Sequence, residues 1–134
     1  MHNSLKANIT ILLAVLGVIA LSISAFAKSW LTAQTVQLQT LDKITARIQT
    51  ITVNIGQPVK LGTLEILLSH CAYNPPEEPP EHAAFLTITD RGYQQQSPAQ
   101  ARQVFSGWMF ASSPALSGLE HPVYDVTVLA CVAE

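Results

Sequence analysis

Two long alternations of apolar and polar residues frame the chain. From Leu64 to Tyr73 the even positions Leu64, Ile66, Leu68, His70 and Ala72 form the more apolar side. From Val123 to Val132 the residues Tyr124, Val126, Val128, Ala130 and Val132 do the same. A two-residue period marks a half-buried strand, so both stretches are predicted strands, with His70 a hydrogen-bonded core histidine. Cys71 and Cys131 then fall on the opposite, less apolar sides of their strands. Ala46–Val53 is rich in β-branched residues and ends near Gly56, where a turn can form. Gln57–Gly62 suits a short edge strand because it contains Pro58. Ala83–Thr89 and Val104–Ala111 are also strand-like, and Asp90-Arg91-Gly92 is a turn. Tyr93–Arg102 reads as a polar, Gln-rich mobile loop. Ser113 can cap a short helix near residues 114–120, with Pro114 at its first position and Pro122 barring continuation. Residues 28–42 show no clear period and read as a tether, so the domain is expected to span residues 43–134. The predicted fold is all-β: a compact antiparallel β-sandwich or barrel of about 5–7 short strands.

The pattern is different at the N-terminus. Lys6 precedes an almost uncharged apolar run, and Ala25-Phe26-Ala27 has the small-x-small form of a secretory cleavage site. Residues 1–27 are therefore expected to be a helical signal peptide. Residues 7–27 would be just long enough to span a bilayer as an uncleaved anchor. Both alternatives put the following domain in the periplasm or an equivalent oxidising compartment, where Cys71 and Cys131 could pair.

Composition narrows the classes of function. Nine Asp and Glu face seven Lys and Arg, and Lys6 is the only one of the seven before residue 28. A net acidic domain without a basic cluster is not expected to bind nucleic acid, and membrane contact is expected only through residues 7–27. The cysteines lack the C-x-x-C spacing of a redox pair, and two of them do not make a zinc site. The expected cofactor and metal content is none.

Three groups of residues are candidates for function. Asn74-Pro75-Pro76-Glu77-Glu78-Pro79-Pro80-Glu81 is a proline-stiffened acidic loop. Such a segment either sets the geometry of a crossover or presents Glu77, Glu78 and Glu81 to a basic partner. In Val104–Ser113, Trp108 and Phe110 share one face and Phe105 and Met109 the other, which fits a buried central strand or a binding patch carrying Trp108 and Phe110. His121, Asp125 and Ser112 or Ser113 are the residue types of a nucleophilic triad, but without a G-x-S-x-G elbow. His82 beside Glu81 lacks the spacing of a metal motif.

The segments Cys71-Ala-Tyr-Asn-Pro-Pro-Glu-Glu-Pro-Pro-Glu-His-Ala-Ala-Phe-Leu, Val104-Phe-Ser-Gly-Trp-Met-Phe-Ala-Ser-Ser-Pro-Ala-Leu and Leu119-Glu-His-Pro-Val-Tyr-Asp-Val together resemble domain-of-unknown-function family 2155. The resemblance covers roughly residues 43–131 and implies a small exported protein of a Gram-negative envelope. It implies no reaction, ligand or catalytic residue. The expectation is a non-catalytic periplasmic accessory domain that contacts an envelope or inner-membrane protein. The alternative is a small hydrolase or metal-dependent enzyme using His121, Asp125 and Ser112 or Ser113.

Overall fold

A computed structural model describes residues 28–92 and 101–133. The expected signal segment, and most of the loop before Arg102, lie outside the described residues. Nine strands are described: β1 (Leu31–Ala33), β2 (Thr35–Asp42), β3 (Arg47–Asn54), β4 (Val59–Leu61), β5 (Leu64–Tyr73), β6 (His82–Asp90), β7 (Arg102–Phe110), β8 (Leu119–Glu120) and β9 (Tyr124–Val132). One helical turn, α1, spans Pro114–Ser117. The strands form two antiparallel sheets, ordered β1-β5-β6-β7 with β4 beside β5, and β3-β2-β9-β8. The architecture is a two-sheet sandwich rather than a closed barrel.

Residues 31–42 are not a tether. They form β1 and β2, consecutive strands that belong to different sheets. The chain changes sheet at Gln34, whose carbonyl accepts a hydrogen bond from the Ile55 N–H at 2.9 Å. Just beyond it, the Thr35 hydroxyl donates to Asn54 Oδ1 at 2.8 Å. Ala33, Val36 and Leu38 are buried, and so are Thr35 and Thr40. Threonine is as buried here as valine, which is why the polar composition hides the strand.

The two cysteines bracket this crossover. Ala33 pairs with Cys71 on β5, and Val36 pairs with Cys131 on β9. Cys71 and Cys131 are joined by a disulfide, with Cα atoms 5.8 Å apart. Both are buried, contrary to the expectation that they occupy the less apolar sides. The cause is a β-bulge in each strand. On β5 the register shifts between Leu68 and His70, and on β9 one residue, Leu129, is skipped opposite Gln37/Leu38. An extra residue exchanges the faces of everything after it. Leu64, Ile66 and Leu68 therefore point inward before the bulge and Cys71 after it, while His70 is turned out to solvent. Val126 and Val128 precede Cys131 in the same way, and Leu129 is exposed.

The core between the sheets holds Val36, Leu38, Val53, Leu64, Ile66, Leu68, Leu86, Ile88, Met109 and Val126, all essentially inaccessible. Each such side chain contributes about 1.5–3 kcal/mol through burial. Turn chemistry agrees with the sequence at Gly56 and Gly92, both with positive φ, and the Gly92 N–H donates to Asp90 Oδ1 at 2.9 Å. Ser113 occupies the N-cap of α1 but makes no side-chain cap; its carbonyl accepts from the Leu116 and Ser117 N–H groups instead.

The disulfide closes a loop with a sequence separation of 60, which in the chain-entropy account stabilises the fold by about 4 kcal/mol. Urea unfolding of Cys71→Ser should show a loss of that order. The Cys71→Ser/Cys131→Ser double variant should lose no more than the single one, because one crosslink is lost in each case.

Candidate functional site

The outer face of the first sheet carries aromatic residues in two registered rows. One row runs His70, Phe85, Trp108 across β5, β6 and β7. The next runs Thr32, Ala72, Ala83, Phe110 across β1, β5, β6 and β7. The small side chains of Ala72 and Ala83 leave a depression between larger neighbours. The result is a groove of about 450 Å³ floored by the two alanines and walled by Trp30, His70, Trp108 and Phe110. Such concave, mostly apolar surfaces are where ligands and partner side chains bind. The rings are held in place by one another: Trp108 meets His70 and Phe85 edge-to-face at centroid distances of 6.0 and 5.5 Å.

Trp108 and Phe110 are not in a buried central strand. β7 is the last strand of its sheet, and these two side chains are 43% and 36% exposed, while Met109 between them is buried in the core. The sequence places them together correctly and misses the other wall. Trp30 reaches the groove from the far edge of the sheet, ahead of β1, with the Lys28 ammonium 4.6 Å from its ring centroid. A strand pattern cannot reveal that proximity. The available signal was compositional: the chain has two tryptophans, and both line this groove.

The proline-glutamate segment is the β5–β6 connection and is tied shut from within. Asn74 donates its side-chain amide to the Pro79 carbonyl at 2.6 Å, its N–H donates to the Glu81 carbonyl at 3.0 Å, and the Glu78 N–H donates to the Pro75 carbonyl at 3.0 Å. Glu81 is part of this scaffold. Its carboxylate accepts from the His82 N–H at 3.0 Å, the Ser112 N–H at 3.1 Å and the Ser112 hydroxyl, fastening the loop to the end of β7. Burial alone would raise the Glu81 carboxyl, but the hydrogen bonds from Ser112 and His82 hold it below its ordinary range. Glu77 is exposed and Glu78 partly so.

The candidate triad does not assemble. His121 Nε2 faces Asp90 Oδ2 at 3.2 Å, its Nδ1 accepts from the Val123 N–H at 3.2 Å, and its ring stacks on Tyr124. Asp125 pairs with Lys43 at 2.7 Å. Ser112 is bonded to Glu81, and Ser113 contacts Ser112 at 3.4 Å. His121, Asp125 and Ser112 thus each have a partner outside the triad, and the geometry needed for proton transfer among the three is not present. His82 Nδ1 accepts from the Cys131 N–H at 3.0 Å while its ring stacks on Tyr73, so it pins β9 beside β6. Among the described residues no three His, Cys, Asp or Glu side chains cluster as metal ligands. Nor is any described helix long and apolar enough to cross a membrane.

The molecule is thus a two-sheet β-sandwich with one inter-sheet disulfide and an aromatic groove on its outer face. The chain belongs to the family described as "Uncharacterized protein conserved in bacteria (DUF2155)", whose model matches residues 36–131. It is 31% identical over 91 residues to "Uncharacterized protein RP359" of Rickettsia prowazekii (strain Madrid E), a match covering 68% of this chain and 56% of the relative. The chain therefore spans little more than half the length of the curated relative it matches. No solved structure matches it.

The bonds to Glu81 carry a pH dependence. A carboxylate whose folded pKa lies below its ordinary 4.5 stabilises the fold above that value, and the contribution fades as the pH falls toward the folded pKa. Glu81→Gln should therefore unfold at lower denaturant concentration than wild type at pH 7. The gap should narrow steadily below pH ~4.5, where the wild-type carboxylate itself becomes protonated.

Proposed function

We propose that this protein is a non-catalytic, exported accessory domain that binds an envelope or inner-membrane protein through the aromatic groove of its first sheet. The observation that carries the reading is the groove itself. Two tryptophans, Phe110 and His70 surround an alanine floor on an exposed sheet face. Partly exposed aromatic side chains are the usual anchors of protein interfaces. The Ala25-Phe26-Ala27 segment and the Cys71–Cys131 disulfide support export, since disulfides persist in oxidising compartments. The charge of the surroundings favours protein over lipid. Glu77 and Glu78 sit on the rigid loop at the same end of the sheet, and an anionic bilayer would be repelled there. A partner with basic residues around an apolar anchor would be attracted.

The test is affinity capture of the tagged protein from periplasm and detergent-solubilised envelope, in parallel with Trp108→Ala and Glu77→Ala/Glu78→Ala. A specific partner should be retained by wild type. Trp108→Ala should weaken it by at least ~2 kcal/mol, about thirtyfold, without loss of the fold. Glu77→Ala/Glu78→Ala should make its binding less sensitive to salt. A partner held equally by folded Trp108→Ala would remove the groove from the interface.

A further inference from the structure

Trp108 and Phe110 belong to a strand that has a neighbour on one side. β7 pairs with β6 over its length and ends the sheet. The phase of its backbone follows from two hydrogen bonds. The Ala111 N–H points inward, donating to the His82 carbonyl at 2.9 Å, whereas the Phe110 N–H points outward and donates to Ser117 Oγ at 2.9 Å. In an antiparallel ladder successive residues alternate between the two directions. Trp108 and Ser106 therefore turn their N–H and C=O groups away from β6, like Phe110.

The two ends of this edge differ from its middle. At Phe110 both outward backbone groups are taken, the N–H by Ser117 Oγ of α1 and the carbonyl by the Ser113 N–H at 3.2 Å. At the other end the register shift opposite Ile88/Thr89 interrupts the alternation at Val104. Between a cap and a bulge, two common ways of blunting a sheet edge, the segment 106–108 remains open. No strand pairs with it among the described residues. The open backbone belongs to the residue whose indole walls the groove.

We infer that β7 accepts an extended segment of the groove's protein partner as an added strand of the first sheet. Ser106 and Trp108 would exchange up to about four backbone hydrogen bonds with it. Alternate side chains of that segment would lie beside Ser106 and Trp108, since directly opposed residues of neighbouring strands sit about 5 Å apart. An apolar or aromatic residue there packs on the outer side of the Trp108 indole, which walls the groove, and Lys or Arg in the segment is attracted by Glu77 and Glu78 on the loop at that end of the sheet. The partner chemistry is thus an extended, basic-flanked segment with alternating apolar residues. This inference rests on the groove being the binding surface; it adds how the partner's backbone is held.

The experiment uses the oxidised chain as its cells process it, with an acetylated, amidated octapeptide of alternating Thr and Phe flanked by Lys. The readout is tryptophan emission, which arises from Trp30 and Trp108 alone. The peptide should produce a saturable blue shift. The same peptide N-methylated on alternate backbone nitrogens should bind about tenfold more weakly, having lost one or two hydrogen bonds. Ser106→Pro should show a similar loss for the unmethylated peptide, because the N–H it removes faces away from β6 and proline is tolerated at such edge positions. If Ser106→Pro does not fold, the methylated peptide on wild type decides alone. Equal binding of both peptides, or a peptide that gives no shift, would overturn strand addition. Loss of the envelope partner by Trp108→Ala would then still uphold the groove, whereas its retention would discard both readings. Concentration-dependent self-association abolished by Ser106→Pro would identify a second copy as the occupant and overturn the partner assignment.

Discussion

The rest of the structure depends on how the chain is held where it passes from one sheet to the other at Gln34. The chain passes between the sheets here, again from β3 to β4 and again from β7 to β8, so backbone joins the two layers at three places among the described residues. The Cys71–Cys131 disulfide adds a covalent tie between the strands at the first of these crossings, because its two cysteines pair with Ala33 and Val36 on either side of it. The Gln34 carbonyl is bound by Ile55 and the Cys131 N–H by His82, so non-covalent bonds fasten the same corner. A domain this small buries a limited fraction of its surface, so a crosslink at one of its sheet-to-sheet crossings matters to its stability.

The groove is built on that corner. Ala72 follows Cys71 in β5, and Ala83 pairs with it on β6, where its carbonyl oxygen lies 3.5 Å from Cys131 Sγ. The staple on the inner face and the groove floor on the outer face are thus opposite sides of the same few residues. Glu81 closes the arrangement at the loop by binding Ser112, two residues beyond Phe110. A surface whose floor and one wall are fixed in this way loses little conformational freedom when it is covered, which favours binding.

Most strands were legible in the sequence because their alternation survives: β5, β6, β7 and β9 lie within a residue or two of where the pattern puts them. The misplaced features share one cause. A bulge inserts a residue without any mark in composition, so the even positions of β5 that pointed inward at Leu68 point outward at His70. That step moved His70 from the core to the groove wall and Cys71 from the polar side to the core, and the separate bulge at Leu129 did the same for Cys131. β1 and β2 were missed for a different reason: Thr35 and Thr40 fill inward positions that periodicity arguments reserve for aliphatic residues, with Thr40 donating to the Gln49 carbonyl. In the site, Trp108 and Phe110 were legible as a pair on one strand face. Trp30 was not, since its place in the groove is a matter of tertiary structure. Sequence suggested His121, Asp125 and Ser112 by residue type, and the sandwich gives each of them a different partner.

On the proposed reading, the aromatic face of the first sheet meets a protein in the cell. Site-specific photocrosslinking in living cells tests it most directly, with a benzophenone amino acid placed at Trp108 and, as a control, at the exposed Ile48 on the edge strand of the second sheet. A discrete adduct of one mass is expected from position 108 and none from position 48. No adduct at 108, or the same adducts from both positions, would contradict it.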